Sequence, residues 1–477
     1  MSLKQKTIKG LFWSGISQGG KQVSQFVITA ILARLLSPND FGLLAMATVF
    51  INFGMIFSEM GISSALIQKQ DTHDRHYYSA FWLNVVVGIT LTLIFIAISP
   101  LIARFYNKPE LQLILTVISI NYLISSFVII QQTILTKEMD FKSLAIRDII
   151  AIVLSGGIGI YMAFHGFGVW SLVIQSVTFT LFNAILLWAL SSWRPKYQFA
   201  KSDIKDIFGF SANLTGFNVI NYFSRNIDQL LIGKFLGAQA LGYYSLAFKL
   251  MIYPLQNISW VIGKVMFPAF SRIQNDLAKV RNTYMKMVKA ISFVSFPLML
   301  GLFVIATEFV SIVFGQRWEP AVRIIKVFCF CGLFKSIGTT VGMIYLSKGK
   351  ADLQLKLEYI NVISLFLLIV VGLTWGIYGV SVCITIQAVV WVIINLYLVM
   401  RLVNSKFSSL LMALYKPLLM SLIFVSIIWS IKKIYVIKDI YSLLAIFAVG
   451  CACYIALFVI SKEITIEGKR IIISFLE

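Results

Sequence analysis

The chain has 477 residues, of which 59% are hydrophobic and 13% are charged, and its mean hydropathy is +0.86. Soluble proteins carry about 25% charged residues, and so few charges could not cover the surface of a soluble fold of this length. Lys and Arg total 41 against 20 for Asp and Glu, which gives a net charge of +21. The basic residues lie between long apolar runs rather than along one wetted surface, so the composition indicates a membrane protein and predicts no nucleic-acid partner.

Apolar runs of about 18 or more residues predict about fourteen transmembrane segments. The runs lack the alternation of a barrel strand, so the predicted fold is an all-α polytopic membrane protein. In chain order the predicted spans are 10–34, 41–67, 79–105, 111–135, 144–164, 168–190, 207–235, 240–268, 288–314, 320–346, 357–376, 379–402, 413–431 and 441–461. Among the short connections, apolar residues at helical spacing from Ile273 to Met287 predict an amphipathic segment over 271–287, on the cytoplasmic membrane surface.

The distribution of Lys and Arg predicts the orientation of the chain in the membrane. With a cytoplasmic N-terminus, about 26 basic residues fall on the cytoplasmic side and about ten on the other, so both termini are predicted to be cytoplasmic. The basic start followed by an apolar run resembles a signal peptide, but Lys21 interrupts the run, which predicts a first transmembrane helix instead. Five basic residues remain inside the predicted spans, namely Lys21, Arg225, Lys249, Lys264 and Lys335.

The two halves of the chain resemble each other. An offset of 200 residues superimposes 33–47 on 233–247 and matches Gly42 with Gly242, and an offset of 211 matches Lys137 with Lys348. Each half holds six predicted spans, and an even number keeps the repeats parallel, related by an axis along the membrane normal. The predicted division is a six-helix lobe over 1–190, a cytoplasmic linker over 191–206, a second lobe over 207–402, and two further helices with a cytoplasmic tail over 403–477.

The first helix of each half carries a stripe of polar residues along one face. The stripes superimpose as two sets, Gln18, Lys21 and Gln25 on Asn218, Asn221 and Arg225. Because a charge at the bilayer centre costs about 2.5 to 3.5 kcal/mol on insertion scales, we expect both stripes to face a hydrated cavity. Hydrogen bonding between helices is the alternative role for the Asn and Gln side chains. Lys21 has no carboxylate within one turn of its own helix, which favours a substrate-binding role.

Other charged residues in the spans have alternative roles. Arg225 can pair with Asp228 three residues later, so neutralisation within one helix competes with ligand binding. Lys249 and Lys335 are further candidates for the cavity, while Glu59 and Glu308 are candidate ion-coupling or structural sites. Since the spans hold more positive than negative charge, the cavity is predicted to suit an anion such as a phosphate group. No metal site and no cofactor are predicted.

Four motifs resemble those of a known family. They are KTIKGLFWSGIS near the start, LARLLSPNDFGLLAMATVF over 32–50, VMFPAFSRIQND over 265–276 and VFGQRWEPAV over 313–322. Together they are similar to the polysaccharide transporter (Wzx-type) family, in the branch that contains colanic acid and teichuronic acid exporters. That family belongs to the multidrug/oligosaccharidyl-lipid/polysaccharide exporter superfamily. The resemblance extends over nearly the whole chain.

The resemblance implies a flippase of the bacterial inner membrane rather than an enzyme. Such a protein moves undecaprenyl-pyrophosphate-linked oligosaccharide from the cytoplasmic to the periplasmic face by alternating access, for capsule, exopolysaccharide or O-antigen synthesis. Lys21 and Arg225 are the positions best placed for the pyrophosphate. The implied partners are the lipid-linked substrate, the bilayer, and a polysaccharide polymerase with its chain-length machinery. The alternatives are a cation-coupled multidrug extruder of the same superfamily and, less favoured, a membrane-embedded polymerase or ligase.

Overall fold

The computed structural model describes residues 3–59, 61–68 and 73–460, together with most of their side chains. Over these residues the chain forms sixteen α-helices and one 3-10 turn and has no strand, as the apolar runs predict. Helices α1 to α8 are Leu3–Leu35, Pro38–Glu59, Ile62–Gln68, Asp74–Tyr106, Glu110–Ser126, Ile129–Lys137, Phe141–Phe164 and Val169–Leu190. Helices α9 to α16 are Lys201–Ile273, Leu277–Val313, Ala321–Gly338, Val341–Ser347, Ala351–Leu373, Gly376–Leu402, Phe407–Ile434 and Ile440–Ile460.

Ten helical segments in the described part of the chain are long and apolar enough to cross a membrane, and the bent pair α5 and α6 makes an eleventh. The chain is therefore a multi-pass membrane protein. The eleven segments do not include α1 or α9, which carry the polar stripes. The predicted spans 207–235 and 240–268 are joined in α9, which is broken at Gly237, where φ is +84°. This backbone conformation favours glycine because it has no Cβ.

The amphipathic segment predicted over 271–287 differs in the structure. From Leu277 onward it is the first part of α10, continuous with the following span. Its apolar residues Val280, Tyr284 and Met287 are buried against protein rather than lying on the membrane surface. Asp276 begins the helix by accepting a hydrogen bond from the Lys279 N–H at 3.0 Å, and this bond lowers the pKa of the Asp276 carboxyl.

The chain forms two compact units, one ending at Ser245 and the other beginning at Leu246. The stretch 207–245 thus belongs to the first unit, although the repeat assigns it to the second lobe. The division into lobes over 1–190 and 207–402 stays a prediction of the repeat.

Within the first unit, α2 and α9 cross at a pair of matched glycines. A Cβ atom at Gly42 would collide with the carbonyl oxygen of Ala238, and one at Gly242 with that of Pro38. Both pairs are related by the offset of 200 residues, so each copy of the repeat presents the same surface to the other. Such reciprocity is the signature of a two-fold contact.

Other local features recur in the two copies. The fourth predicted span of each is a broken helix, α5 followed by α6 in the first and α11 followed by α12 in the second. Lys137 donates from Nζ to the carbonyl oxygen of Leu66, and Lys348 donates to that of Gln274. Leu66 lies at the C-terminal end of α3 and Gln274 directly after the end of α9, and at such helix ends a cation satisfies an unpaired backbone acceptor.

Candidate functional site

Helices α1 and α7 pack side by side and run in the same direction. Ile149 packs over Gly20, and Ile28 packs over Gly156, so positions advance together along both helices. The two glycines allow the helix backbones to approach closely, as small residues do in membrane proteins. This packing brings Lys21 of α1 level with the residues that follow Arg147 on α7.

At that level the structure contains a cluster of three charged side chains. Lys21 Nζ forms an ion pair with the Asp148 carboxylate. Arg147 donates from Nε to Asp148 Oδ1 at 3.0 Å and from Nη1 to Gln132 Oε1 at 3.3 Å. Arg147 and Asp148 are buried, whereas 34% of the Lys21 side-chain surface is exposed. We call Lys21, Arg147, Asp148 and Gln132 the charge cluster.

The charge cluster holds two cations and one carboxylate, so its net charge is +1. The buried Arg147 and Asp148 neutralise each other, and the pair is stabilised by the additional hydrogen bond to Gln132. Lys21 supplies the excess charge and is the most accessible of the three charged side chains. Its ammonium group has three donors, of which the carboxylate does not use all, so it can also bind the oxygen of an anionic ligand.

Sequence analysis identified Lys21 but not its partner. Asp148 lies on another helix, and Arg147 is one of the basic residues that the charge distribution places on the cytoplasmic side. The available signal was the adjacent Arg147 and Asp148 near the start of the apolar run 144–164. Opposite charges side by side in such a run indicate an intramembrane ion pair.

The second polar stripe, on α9, has a different arrangement. Arg225 is exposed and forms no ion pair with any described residue. Asp228 is buried and accepts hydrogen bonds from the Tyr244 hydroxyl and from the Gln229 N–H, the latter at 2.8 Å. The pairing of Arg225 with Asp228 within one helix, one of the two roles considered from the sequence, is therefore not formed.

The remaining polar residues of the two stripes differ in burial. Gln25 and Asn218 are exposed, while Gln18 and Asn221 are half-buried. Whether these four side chains line a substrate cavity stays a prediction.

In the second unit, Lys249 is exposed and Lys335 is half-buried. Lys335 Nζ lies 5.7 Å from the centroid of the Phe248 ring, which is a cation–π distance. This contact brings Lys335 next to the residue that precedes Lys249, so the two predicted cavity lysines lie in one neighbourhood.

The two carboxylates predicted as ion-coupling or structural sites have separate outcomes. Glu308 forms an ion pair with Lys432 at 2.8 Å, and Lys432 also donates to the Val304 carbonyl oxygen at 3.0 Å. This pairing favours the structural role for Glu308. The Glu59 side chain lies outside the described residues. Among the residues that the structure describes, no group of three His, Cys, Asp or Glu side chains could hold a metal ion.

Comparison with known proteins identifies the family. Residues 31–323, more than half of the chain, match the family described as polysaccharide biosynthesis protein. The chain belongs to this family. Teichuronic acid biosynthesis protein TuaB of Bacillus subtilis is 31% identical over 354 residues, covering 74% of this chain and 73% of that protein. Lipopolysaccharide biosynthesis protein WzxC of Escherichia coli is 27% identical over 433 residues, covering 88% of this chain and 87% of that protein. The Wzx-type resemblance is thus confirmed.

Solved structures show the same fold. The lipid II flippase MurJ in an inward closed conformation matches with a TM-score of 0.75 and 16% identity, over 94% of this chain and 98% of that one. An inward-facing multidrug resistance transporter of the MATE family matches with a TM-score of 0.64 and 16% identity, over 82% of this chain and 95% of that one. At this identity the matches establish the fold of this polysaccharide biosynthesis protein and not its substrate.

Proposed function

We propose that this chain is a flippase for lipid-linked oligosaccharide. It moves undecaprenyl-pyrophosphate-linked repeat units from the cytoplasmic to the periplasmic face by alternating access and so serves the synthesis of a surface polysaccharide. In this role it is a transporter and catalyses no chemical step.

The relatives support this proposal through what their names state. TuaB and WzxC are named for the biosynthesis of teichuronic acid and lipopolysaccharide, and a further relative, from Rhizobium meliloti, is named succinoglycan biosynthesis transport protein ExoT. These polymers differ, but each relative carries the name of a surface polysaccharide pathway. The fold shared with a lipid II flippase adds a protein whose named cargo is lipid-linked.

The charge cluster is the observation that carries the proposal. A polyisoprenyl pyrophosphate brings a compact, multiply charged anion into the membrane, and an excess cation within the spans compensates that charge. Lys21 provides the excess, because Arg147 already neutralises Asp148. We assign Lys21 to contact the pyrophosphate, and Arg147 and Asp148 to hold Lys21 in position.

The proposed cellular setting follows from the topology. We place the protein in the bacterial inner membrane with both termini in the cytoplasm, because this orientation puts about 26 basic residues on the cytoplasmic side and about ten on the other. The polymerase and chain-length machinery that consume the translocated repeat unit are its proposed partners.

The test is Lys21→Ala in a cell whose own copy of the gene is deleted. The remaining Arg147 and Asp148 pair is neutral, so we expect the variant to insert and fold. Surface polysaccharide should fall about tenfold or more, because a charge-assisted hydrogen bond contributes about 1.5 to 3 kcal/mol. Lipid-linked repeat units should accumulate on the cytoplasmic side, measured in extracted lipids.

The matched control is Lys279→Ala, which also removes a lysine from an ion pair, here with Asp276 at 3.3 Å outside the apolar span. It should export polysaccharide normally. Normal export by an inserted Lys21→Ala protein would remove Lys21 from the mechanism.

The MATE-like fold supports drug extrusion as a second candidate. That function needs a cavity suited to cations, which the excess positive charge of the cluster opposes. If the deletion strain exports polysaccharide normally but accumulates cationic dyes, drug extrusion replaces the flippase proposal.

A further inference from the structure

The second unit contains a further candidate site, whereas the charge cluster belongs to the first unit. A cavity of about 490 Å³ opens between α10, α11 and α14. Its walls are Phe303, Arg323, Lys326, Val327, Phe330 and Tyr378. The function proposed above does not use this cavity. We call the cavity the cationic pocket.

The cationic pocket contains two cations and no carboxylate. Arg323 and Lys326 lie three residues apart on α11 and therefore share one face of the helix. Neither forms an ion pair or a hydrogen bond with any residue that the structure describes. The nearest acid in sequence, Glu319, is exposed and pairs with neither. The two adjacent cations repel each other, and no carboxylate in the pocket lining compensates their charge.

The chemistry of the cationic pocket changes along its helices. At 1.5 Å per residue, Arg323 lies about 3 Å and Lys326 about 8 Å from the start of α11, whereas Phe330 lies about 13 Å along it. Phe303 is a similar distance, about 15 Å, from the end of α10. The Phe303 and Phe330 rings meet edge to face with centroids 5.2 Å apart. Arg323 and Lys326 therefore lie near the helix ends, and the two phenylalanine rings lie nearer the middle of the helices.

This arrangement matches an amphiphile that carries an anionic head and an apolar chain. We propose that the cationic pocket binds the phosphate group of a membrane lipid, with the first part of its chain against Phe303 and Phe330. Arg323 and Lys326 contact the phosphate oxygens, for which a guanidinium fork and an ammonium group are both suited.

The predicted topology adds an independent reason. The loops at this end, 314–320 and 374–375, fall on the predicted periplasmic side, where the positive-inside rule disfavours Lys and Arg. A lipid phosphate held there compensates cations that the topology would otherwise exclude. Glycerophospholipids and polyisoprenyl phosphates share this chemistry, so the experiment has to distinguish the two sources.

The experiment measures lipid binding to the full-length protein by native mass spectrometry after exchange of the lipids for detergent. The probes are dioleoyl phosphatidylglycerol, undecaprenyl phosphate and undecaprenol, which has the same chain as undecaprenyl phosphate but no phosphate. The variant is Arg323→Gln with Lys326→Gln, and we expect its affinity for at least one phosphate lipid to fall about tenfold or more, with no change for undecaprenol.

Lys438→Gln is the matched control, because Lys438 is exposed on the same predicted side and does not line the pocket. It should bind all three probes as the wild-type protein does. Since Arg323 and Lys326 have no hydrogen-bond or ion-pair partner among the residues that the structure describes, the variant should keep the thermal transition of the wild type. If the double variant does not, Lys326→Gln alone takes its place.

A loss confined to phosphatidylglycerol identifies a phospholipid site, and a loss confined to undecaprenyl phosphate identifies an isoprenoid site. Both results support the proposal. Unchanged binding of both phosphate lipids overturns it, as does an equal loss in Lys438→Gln, which would show a general effect of charge. None of these outcomes depends on polysaccharide export.

Discussion

The two copies of the repeat differ at their fifth predicted spans, which are α7 and α13. Asp148 and Glu358 are both the eighth residue of their helix. Asp148 is buried between two cations, whereas Glu358 is exposed and accepts a hydrogen bond from Asn361 at 3.3 Å. When α7 and α13 are aligned at their first residues, Leu357 stands at the position of Arg147. At the offset of 200, Asn221 matches Lys21. The first copy therefore has a charge cluster at a helix position where the second copy has an exposed carboxylate.

At the matched glycines, by contrast, the copies are equivalent. Gly42 and Gly242 each approach a carbonyl of the opposite copy. The packing contact that both copies form has stayed symmetric, while the intramembrane charges have diverged. This is the pattern expected when a duplicated scaffold keeps its helix crossing and specialises one copy for an anion.

The largest expected effect is the difference in stability between variants of the two carboxylates, Asp148 and Glu358. Asp148→Ala leaves the buried Arg147 without a counter-ion, and breaking a buried pair costs about 3 to 5 kcal/mol. Glu358→Ala removes an exposed group and should change the free energy of unfolding by less than about 1 kcal/mol. The measurement is the thermal transition of each purified variant. Equal thermal transitions in the two variants would contradict the buried ion pair of Asp148.

How much of this arrangement the sequence predicts depends on distance along the chain. The spans follow from apolar runs that need only local information, and the two polar stripes follow from helical spacing. The Lys21 partner could not be found in the same way, because Asp148 reaches it only through the packing of α1 on α7. The pair of Arg225 and Asp228, one of the two roles considered from the sequence, needs only local information, yet the Asp228 carboxylate accepts a hydrogen bond from Tyr244, sixteen residues away.

The segment over 271–287 shows the same limit. Its apolar stripe is real, but the stripe cannot tell whether a membrane surface or another helix covers it. In the structure Val280 and Tyr284 are covered by protein, because α10 continues without a break into the span. Periodicity identifies a buried face and does not identify what buries it.

The symmetric contact gives the second prediction. Gly42→Ala and Gly242→Ala each place a methyl group against a backbone carbonyl that cannot rotate away, so each should destabilise by about 1 to 3 kcal/mol. The control is Gly157→Ala, where the added carbon meets open space and alanine favours the helix. We expect similar losses in the two crossing variants and none in the control, measured by thermal transition. A loss in only one of the crossing variants would show that the contact is not reciprocal.

The smallest effect concerns the polar stripe of the second copy, where Tyr244, and not Arg225, contacts Asp228. A double-mutant cycle with Asp228→Asn and Tyr244→Phe should give a coupling energy of about 0.5 to 3 kcal/mol, since the two side chains share a buried hydrogen bond. The matched cycle with Arg225→Gln should be additive within about 0.5 kcal/mol, since Arg225 does not reach the carboxylate. Both cycles are measured on purified protein by thermal or denaturant unfolding. A larger coupling in the Arg225 cycle would restore the pair within the helix and would remove Arg225 from the cations available to a ligand. Additivity there, with coupling to Tyr244, leaves Arg225 as an exposed charge of the second copy, in contrast to Lys21, which a carboxylate already holds in the first.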